Sequence, residues 1–284
     1  MNRRHVMQTL TEEQVQSVKN YATAMRREII KMITEAQSGH PGGSLSIADV
    51  VALLYDVEMN ASPQDPHNPD RDRLVLSKGH AAPAVYAALA LKGYFPIAEL
   101  AGLRKIGRLL QGHPDMKHIP GIDMSTGSLG QGISASCGIA IAGKLDHKDF
   151  RVFTIMGDGE QEEGQVWEAA MLAAHYKLDN LTAFLDNNGL QIDGKIDEVM
   201  CPEPLPDKWK AFGWHVIEVN GHDVQELHQA VCEAKTTTGK PTMIIMHTIK
   251  GKGISEMENQ AGWHGKAPSV EQCAIFLSEL EGEQ

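Results

Sequence analysis

The sequence predicts an α/β protein built on a parallel sheet covered by helices on both faces. Three observations carry this. Short runs rich in β-branched and apolar residues alternate with helical segments along most of the chain. The runs are continuously apolar, as in strands buried on both sides. Several of them end in glycine, asparagine or lysine, the punctuation expected where a strand gives way to a loop.

Taken in order, Thr11 and Gln14 have the spacing of a capping box and open a helix through "VQSVKNYATAMRREIIKMITEA". A second helix is expected from about Ser46 through "IADVVALLYDVEM". The strands are "RLVLS", "RVFTIM", "LTAFLD", "WHVIEV" and "PTMIIMHT". Between and around them, "GISASCGIAIAGKL", "QVWEAAMLAAHY" and "DVQELHQAVCEAK" read as helices, and "SVEQCAIFLSELEG" as a closing one. No repeat or interdomain linker interrupts residues 1–284, which read as one domain with an N-terminal helical segment.

Composition narrows the function. The chain has 284 residues, 42% of them hydrophobic, and 37 acidic against 26 basic side chains for a net charge of -11. Nucleic acid and anionic membrane would demand a cationic surface, so neither is an expected partner. The four cysteines, Cys137, Cys201, Cys232 and Cys273, form no C-x-x-C pair, which signals neither a disulfide framework nor a zinc site. The opening "MNRRHVMQTLTEEQ" lacks the apolar core of a signal peptide, and a reduced, cytoplasmic enzyme is the expectation.

Ligands of such sheets bind at the carboxyl ends of the strands. There, "RVFTIM" runs into Gly157-Asp158-Gly159, and "LTAFLD" into Asn187-Asn188-Gly189. Asp158 and Asn188 are separated by roughly 30 residues, one strand–helix–strand unit, so adjacent strands would aim both at one point. A carboxylate, an amide oxygen and a nearby carbonyl suit Mg²⁺ or Ca²⁺. The flanking glycines would let backbone approach a diphosphate, with Asp158 an exposed strand-end ligand. The plainer alternative is that Asp158 caps the next helix and Asn187-Asn188 is an ordinary turn. "GDGEQEEG" is not G-x-G-x-x-G, and "TGSLGQG" lacks the Lys-Ser/Thr of a P-loop, which disfavours dehydrogenases and NTPases.

Those residues resemble the thiamine diphosphate enzymes, and within them the transketolases. GDG followed by Asn188 is similar to the diphosphate–metal motif shared across thiamine enzymes. "SGHPGG" (38–43), "LSKGHAAPAVYAAL" (76–89), "GHPD" (112–115), "TGSLGQG" (126–132) and "WHGKAP" (263–268) narrow the resemblance, in transketolase order and over nearly the whole chain. The resemblance implies the thiamine diphosphate-binding fold, as the diphosphate-binding domain. It implies Asp158, Asn188 and the Leu190 carbonyl as ligands of Mg²⁺ or Ca²⁺. His80, Gly159, Gly127, Ser128 and Leu129 would line the cofactor, with Asn188 beside it. Lys78, Ile249 and Lys250 would approach the cofactor or the site mouth. Glu163, rather than Glu160, matches a family glutamate near a subunit interface, although an acid at a helix start is also ordinary.

Most of the 13 histidines are expected to be surface or satisfied core groups. His5, His67, His118, His147, His175, His215, His222, His228 and His247 are read so. His40, His80, His113 and His264 each sit beside glycine or proline in a matching motif. By resemblance His40, His113 and His264 contact the ketose donor or bound intermediate, with His264 also near the diphosphate. Neutral imidazoles can orient and deprotonate sugar hydroxyls near pH 7.

Thiamine enzymes also need a glutamate on a second α/β domain, and too few residues follow Ile249 to form one. The expectation is the N-terminal subunit of a split transketolase. It would pair with a C-terminal subunit carrying the pyrimidine-binding domain, as a heterotetramer of two plus two subunits that works on sugar phosphates. Other readings are the diphosphate-binding subunit of a 2-oxoacid dehydrogenase or 1-deoxyxylulose-5-phosphate synthase type of enzyme, or a non-catalytic cofactor-binding relic.

Overall fold

The computed structural model describes residues 9–282, and His5 lies outside them. Helix α1 (Glu12–Ala36) begins at Thr11, whose side chain accepts from the Gln14 amide while Gln14 reaches back to the Thr11 amide. Such a reciprocal cap is worth about 1 kcal/mol. α2 (Pro41–Leu45) and α3 (Ala48–Leu53) follow, the latter running into a π-helical turn over Leu54–Glu58. This differs from the single helix expected from Ser46. Pro41 starts the helical path earlier, at a first-turn position that needs no amide donor. The Ser46 hydroxyl donates to Asp186 at 2.7 Å and so does not cap a helix.

Strand β1 (Arg73–Leu76) precedes α4 (Ala82–Lys92) and α5 (Gln131–Leu145). β2 (Val152–Gly157), α6 (Gly164–His175) and β3 (Leu181–Asn187) form the next unit. Two-residue strands β4 (Leu190–Gln191) and β5 (Gly194–Lys195) pair antiparallel, and α7 (Ile196–Val199) and α8 (Leu205–Ala211) follow. β6 (His215–Asn220), α9 (Val224–Thr236), β7 (Thr242–His247) and α10 (Val270–Glu281) complete the order. The main sheet runs β1-β2-β3-β7-β6, and every pairing in it is parallel.

Alternation along the strands divides the core in two. Phe153, Ile155, Phe184, Ile244 and Met246 pack with α1, α3, α4, α9 and α10 on one face. Val152, Met156, Leu181, Ala183, Leu185, Met243 and Ile245 pack with α5, α6 and α8 on the other. Because the strands are parallel, all five carboxyl ends lie along one edge of the sheet. β1 delivers Lys78 there, β2 Asp158, β3 Asn188, β7 Lys250 and β6 His222.

Candidate active site

The register pairs Gly157 of β2 with Asp186 of β3, so the turns after these strands leave side by side. Asp158 is 3% exposed, a correction to the exposed ligand expected from the sequence. One of its oxygens accepts from the Gly159 amide at 2.8 Å, the other from the Gly189 amide at 2.7 Å. Gly189 has φ 72°, a left-handed conformation that costs glycine little and turns its amide toward Asp158. Asp158 therefore serves the β2 and β3 turns as well as any ligand, and its removal should disturb both. Burial, together with the nearby Asp186 charge, pushes its carboxyl up to about 6.

Asp186 lies beneath this pair and is fully buried. Lys78 Nζ donates to it at 2.5 Å and to the Gly43 carbonyl at 2.8 Å. Ser46, Asn188 Nδ2 and Thr248 also donate to it. Burial alone would raise the Asp186 pKa, but Lys78 and the hydroxyl donors outweigh it and hold the carboxyl below its ordinary value. With its amide nitrogen held by Asp186, Asn188 turns its oxygen to the Leu190 amide at 3.1 Å.

Lys250, from the turn after β7, reaches back so that Nζ donates to the Leu190 carbonyl at 3.2 Å and lies 3.1 Å from His264 Nδ1. Burial lowers its pKa to about 8 against the favourable pull of Asp158. Above these polar groups, His40, His80 and His264 form a near-equilateral triangle with ring centroids 5.2, 5.3 and 5.3 Å apart. Burial first, then neighbouring cations, lowers all three: His40 (Arg104) and His264 (Lys250) to about 4, and His80 (Lys78) well below its usual value. At pH 7 the triangle is neutral. The ammonium can only donate, so His264 Nδ1 accepts and its proton sits on Nε2. Arg104, 3.4 Å from His40 Nδ1, fixes the same tautomer there.

A cavity of about 240 Å³ joins these elements. It is lined by His40, Lys78, His80, Gly127, Leu129, Asp158, Gly159, Asn188, Leu190, Lys250 and His264 of the residues named from sequence. Gly79 allows one wall to close, since a Cβ there would lie 2.7 Å from the Gly127 nitrogen. His113, Ser128, Glu163 and Ile249 lie outside the lining. His113 packs its ring against Gly127 beside the cavity. Glu163 opens α6 without capping it and stands near Gly130. Ser128 is exposed in the loop before α5, and Ile249 contributes its backbone to the segment that carries Lys250.

Sequence reasoning missed Asp186 and passed over Glu160. Glu160 is buried and accepts from Ser77, from the Gly130 amide at 2.8 Å and from the Gly157 amide at 3.1 Å, tying the turns after β1 and β2 to the start of α5. Its signal was position: three residues after Gly157, it can fold back onto that amide. Asp186 was visible as a lone acid ending an apolar strand, a place where a buried charge requires a partner.

Comparison with known proteins decides the family. Residues 17–278 match the family described as transketolase, thiamine diphosphate binding domain. The chain belongs to the transketolase family. It is 49% identical over 274 residues to a 6-deoxy-6-sulfo-D-fructose transketolase subunit, SqwG, of Clostridium sp. (strain MSTE9), covering 96% of this chain and 99% of that one. It is 42% identical over 267 residues to an apulose-4-phosphate transketolase subunit of Phocaeicola vulgatus, covering 94% and 95%. The solved transketolase of Leishmania mexicana superposes with a TM-score of 0.88 at 34% identity, over 93% of this chain and 41% of that one. The chain thus spans nearly all of two relatives named as subunits and about two-fifths of the solved transketolase chain.

The residues of this transketolase-family site suit a metal-bound diphosphate. The Asp158 carboxylate, the Asn188 amide oxygen and the Leu190 carbonyl are hard oxygen donors of the kind Mg²⁺ or Ca²⁺ takes. The Lys250 ammonium on the Leu190 carbonyl already places a positive charge among them. Lys78 and Lys250, with imidazole N–H groups above, would face the phosphate oxygens. Elsewhere, Glu58, His228 and Cys232 bring three possible metal ligands together, but Lys235 and His228 already hold both Glu58 oxygens.

Proposed function

We propose that this chain is the N-terminal subunit of a split transketolase. With a C-terminal subunit carrying a pyrimidine-binding domain, in a heterotetramer of two plus two subunits, it transfers a two-carbon ketol unit from a ketose phosphate such as xylulose 5-phosphate to an aldose phosphate. It does so with thiamine diphosphate and Mg²⁺ or Ca²⁺, the metal held by Asp158, Asn188 and Leu190. The observation that carries this reading is the neutral histidine triangle set over the oxygen donors of the strand ends in one cavity.

When bound, thiamine diphosphate supplies a nucleophilic carbon and an electron sink for breaking the C2–C3 bond of the ketose. This chain supplies binding and proton handling. Lys78 and Lys250 offset the charge of the diphosphate and neutral His80 helps orient it, with Gly127, Leu129 and Gly159 shaping the wall. His40 and His264 present Nε2–H donors that orient the sugar hydroxyls, and a further neutral imidazole, His113, can take up the proton a hydroxyl releases as the carbon–carbon bond breaks. His113, whose ring packs on Gly127 beside the cavity, would meet the same sugar. Ser128, Glu163 and Ile249 support the walls from outside the lining; Glu163, on the exposed side of the turn, is suited to an interface.

The two-subunit reading draws support from the relatives named as subunits that share nearly its whole length. It is also consistent with a cavity of about 240 Å³, short of the roughly 300–1,000 Å³ of a complete small-molecule pocket. Those relatives are named for a sulfonated and a phosphorylated sugar, which supports an anionic sugar as a substrate here. The test is co-expression with the C-terminal partner and assay of ketol transfer from xylulose 5-phosphate to ribose 5-phosphate in Mg²⁺. Transfer supports the reading; decarboxylation of a 2-oxoacid with no ketol transfer overturns it in favour of another thiamine enzyme.

A further inference from the structure

The fifth strand end carries a side chain that the proposed chemistry does not use. After β6, the turn Gly221-His222 folds beneath the segment Thr248–Gly251 that leaves β7, and the Gly221 amide donates to the His247 carbonyl at 2.9 Å. His222 Nε2 accepts from the Ile249 amide at 2.8 Å. A backbone N–H can only donate, so Nε2 is unprotonated and the ring proton sits on Nδ1, which lies 2.7 Å from Asp49 Oδ2. The tautomer is fixed by its neighbours.

Asp49 in turn is gripped by Arg26, whose two terminal nitrogens donate at 2.6 and 3.1 Å. Asp49 and Arg26 are 6% and 5% exposed. Burial would raise the Asp49 carboxyl, but Arg26 and the His222 hydrogen bond bring it down to about 2, so it stays an anion at any working pH. A connected chain therefore runs from α1 through α3 to the backbone of the β7 turn: Arg26, Asp49, His222, Ile249 N–H.

What that amide controls is the next residue. Thr248 is held by the Asn187 carbonyl and Asp186, and the Gly251 amide donates to the Gly42 carbonyl at 3.0 Å. Between these two anchors His222 holds the Ile249 amide, the Lys252 amide donates to the Ile249 carbonyl at 3.2 Å and the Asn259 amide to the Lys250 carbonyl at 3.0 Å, and from this turn Lys250 extends toward the Leu190 carbonyl and His264. Release of the Thr248–Ile249 peptide would let the head of the turn shift and carry the ammonium off both.

We propose that His222 is a positioning residue for the active site. Backed by Asp49 and Arg26, it fixes the Thr248–Ile249 peptide at the head of the turn so that Lys250 reaches the Leu190 carbonyl and sets the tautomer of His264. The catalytic consequence rests on the transketolase reading above; the structural linkage does not.

The test uses His222→Phe, which keeps the ring and removes the acceptor, and His222→Gln, whose side-chain oxygen can replace Nε2. Hydrogen exchange of the full chain is followed over residues 246–252, and ketol transfer is measured in the complex with its partner. In His222→Phe the Ile249 amide should exchange about tenfold faster, as expected for loss of one net hydrogen bond. Its kcat should fall about tenfold with little change in KM for the donor, because a misplaced hydroxyl-orienting group acts on the chemical step. His222→Gln should stay within about threefold of the parent on both measures. If His222→Phe does not fold, His222→Asn, which can reach Asp49 but not Ile249, takes its place. Faster exchange in His222→Phe with an inactive parent complex would keep the linkage and sink the transketolase reading. An active parent complex with unchanged exchange and kcat in the variant would overturn the role of His222.

Discussion

Replacing Asp186 by asparagine should cost this chain a large part of its stability. The perturbation removes one charge and almost no volume. Lys78, 2% exposed, would keep only neutral oxygens, the Gly43 carbonyl and the new amide, as partners for a buried ammonium. Breaking a buried pair by removing one partner typically costs about 3–5 kcal/mol. Against a total stability of about 5–15 kcal/mol this is severe. The assay is urea unfolding followed by tryptophan fluorescence, comparing Asp186→Asn with the double variant Asp186→Asn/Lys78→Met. The double variant has no orphaned charge and should return to within about 1–2 kcal/mol of the parent. Binding of thiamine diphosphate should not return with it, since Lys78 lines the cavity. An Asp186→Asn variant within about 1 kcal/mol of the parent would refute the view that this buried pair organises the strand ends.

Asp158→Asn should weaken Mg²⁺-dependent binding of thiamine diphosphate at least about a hundredfold by calorimetry in the assembled complex, because it deletes the one charged oxygen ligand; parent-like affinity would remove Asp158 from the metal site. Stability should also fall between pH 6.5 and 4. The unfolded chain protonates its histidines near 6.5 while folded His40 and His264 resist until about 4, so the unfolded state binds more protons across that window. Denaturation midpoints measured across that window should show the fall, and His264→Asn should flatten part of it. Gly79→Ala should displace the Lys78–His80 turn, since its new Cβ would meet the Gly127 backbone at 2.7 Å, and should lose diphosphate binding by calorimetry while the chain still melts cooperatively.

Much of this was legible because it obeys a period or a cap. The five sheet strands were readable as apolar runs, and both terminal helices carry capping boxes. The spacing of Asp158 and Asn188 placed them on adjacent strands, as the register of β2 and β3 has them. What escaped depended on long-range contacts. Ser46 reads as a helix start until Asp186, far along the chain, takes its hydroxyl. Asp158 reads as an exposed ligand because nothing local shows that the Gly189 amide will cover it. Glu160 and Glu163 are alike in sequence, and only the approach of Ser77 and Gly130 makes the first one buried and bonded. The short β4–β5 hairpin and α7 are too brief for any period to register. His222 looked ordinary for the same reason: its partners are Asp49 and Ile249, not its neighbours.

In the proposed function the chain holds one half of a ketol-transfer site and needs a second subunit to complete it. The direct measurement is turnover of xylulose 5-phosphate and ribose 5-phosphate while the purified chain, saturated with thiamine diphosphate and Mg²⁺, is titrated with its C-terminal partner. Turnover should be undetectable without the partner, rise linearly, and saturate at one partner per chain. Full turnover from the chain alone would contradict a two-subunit site.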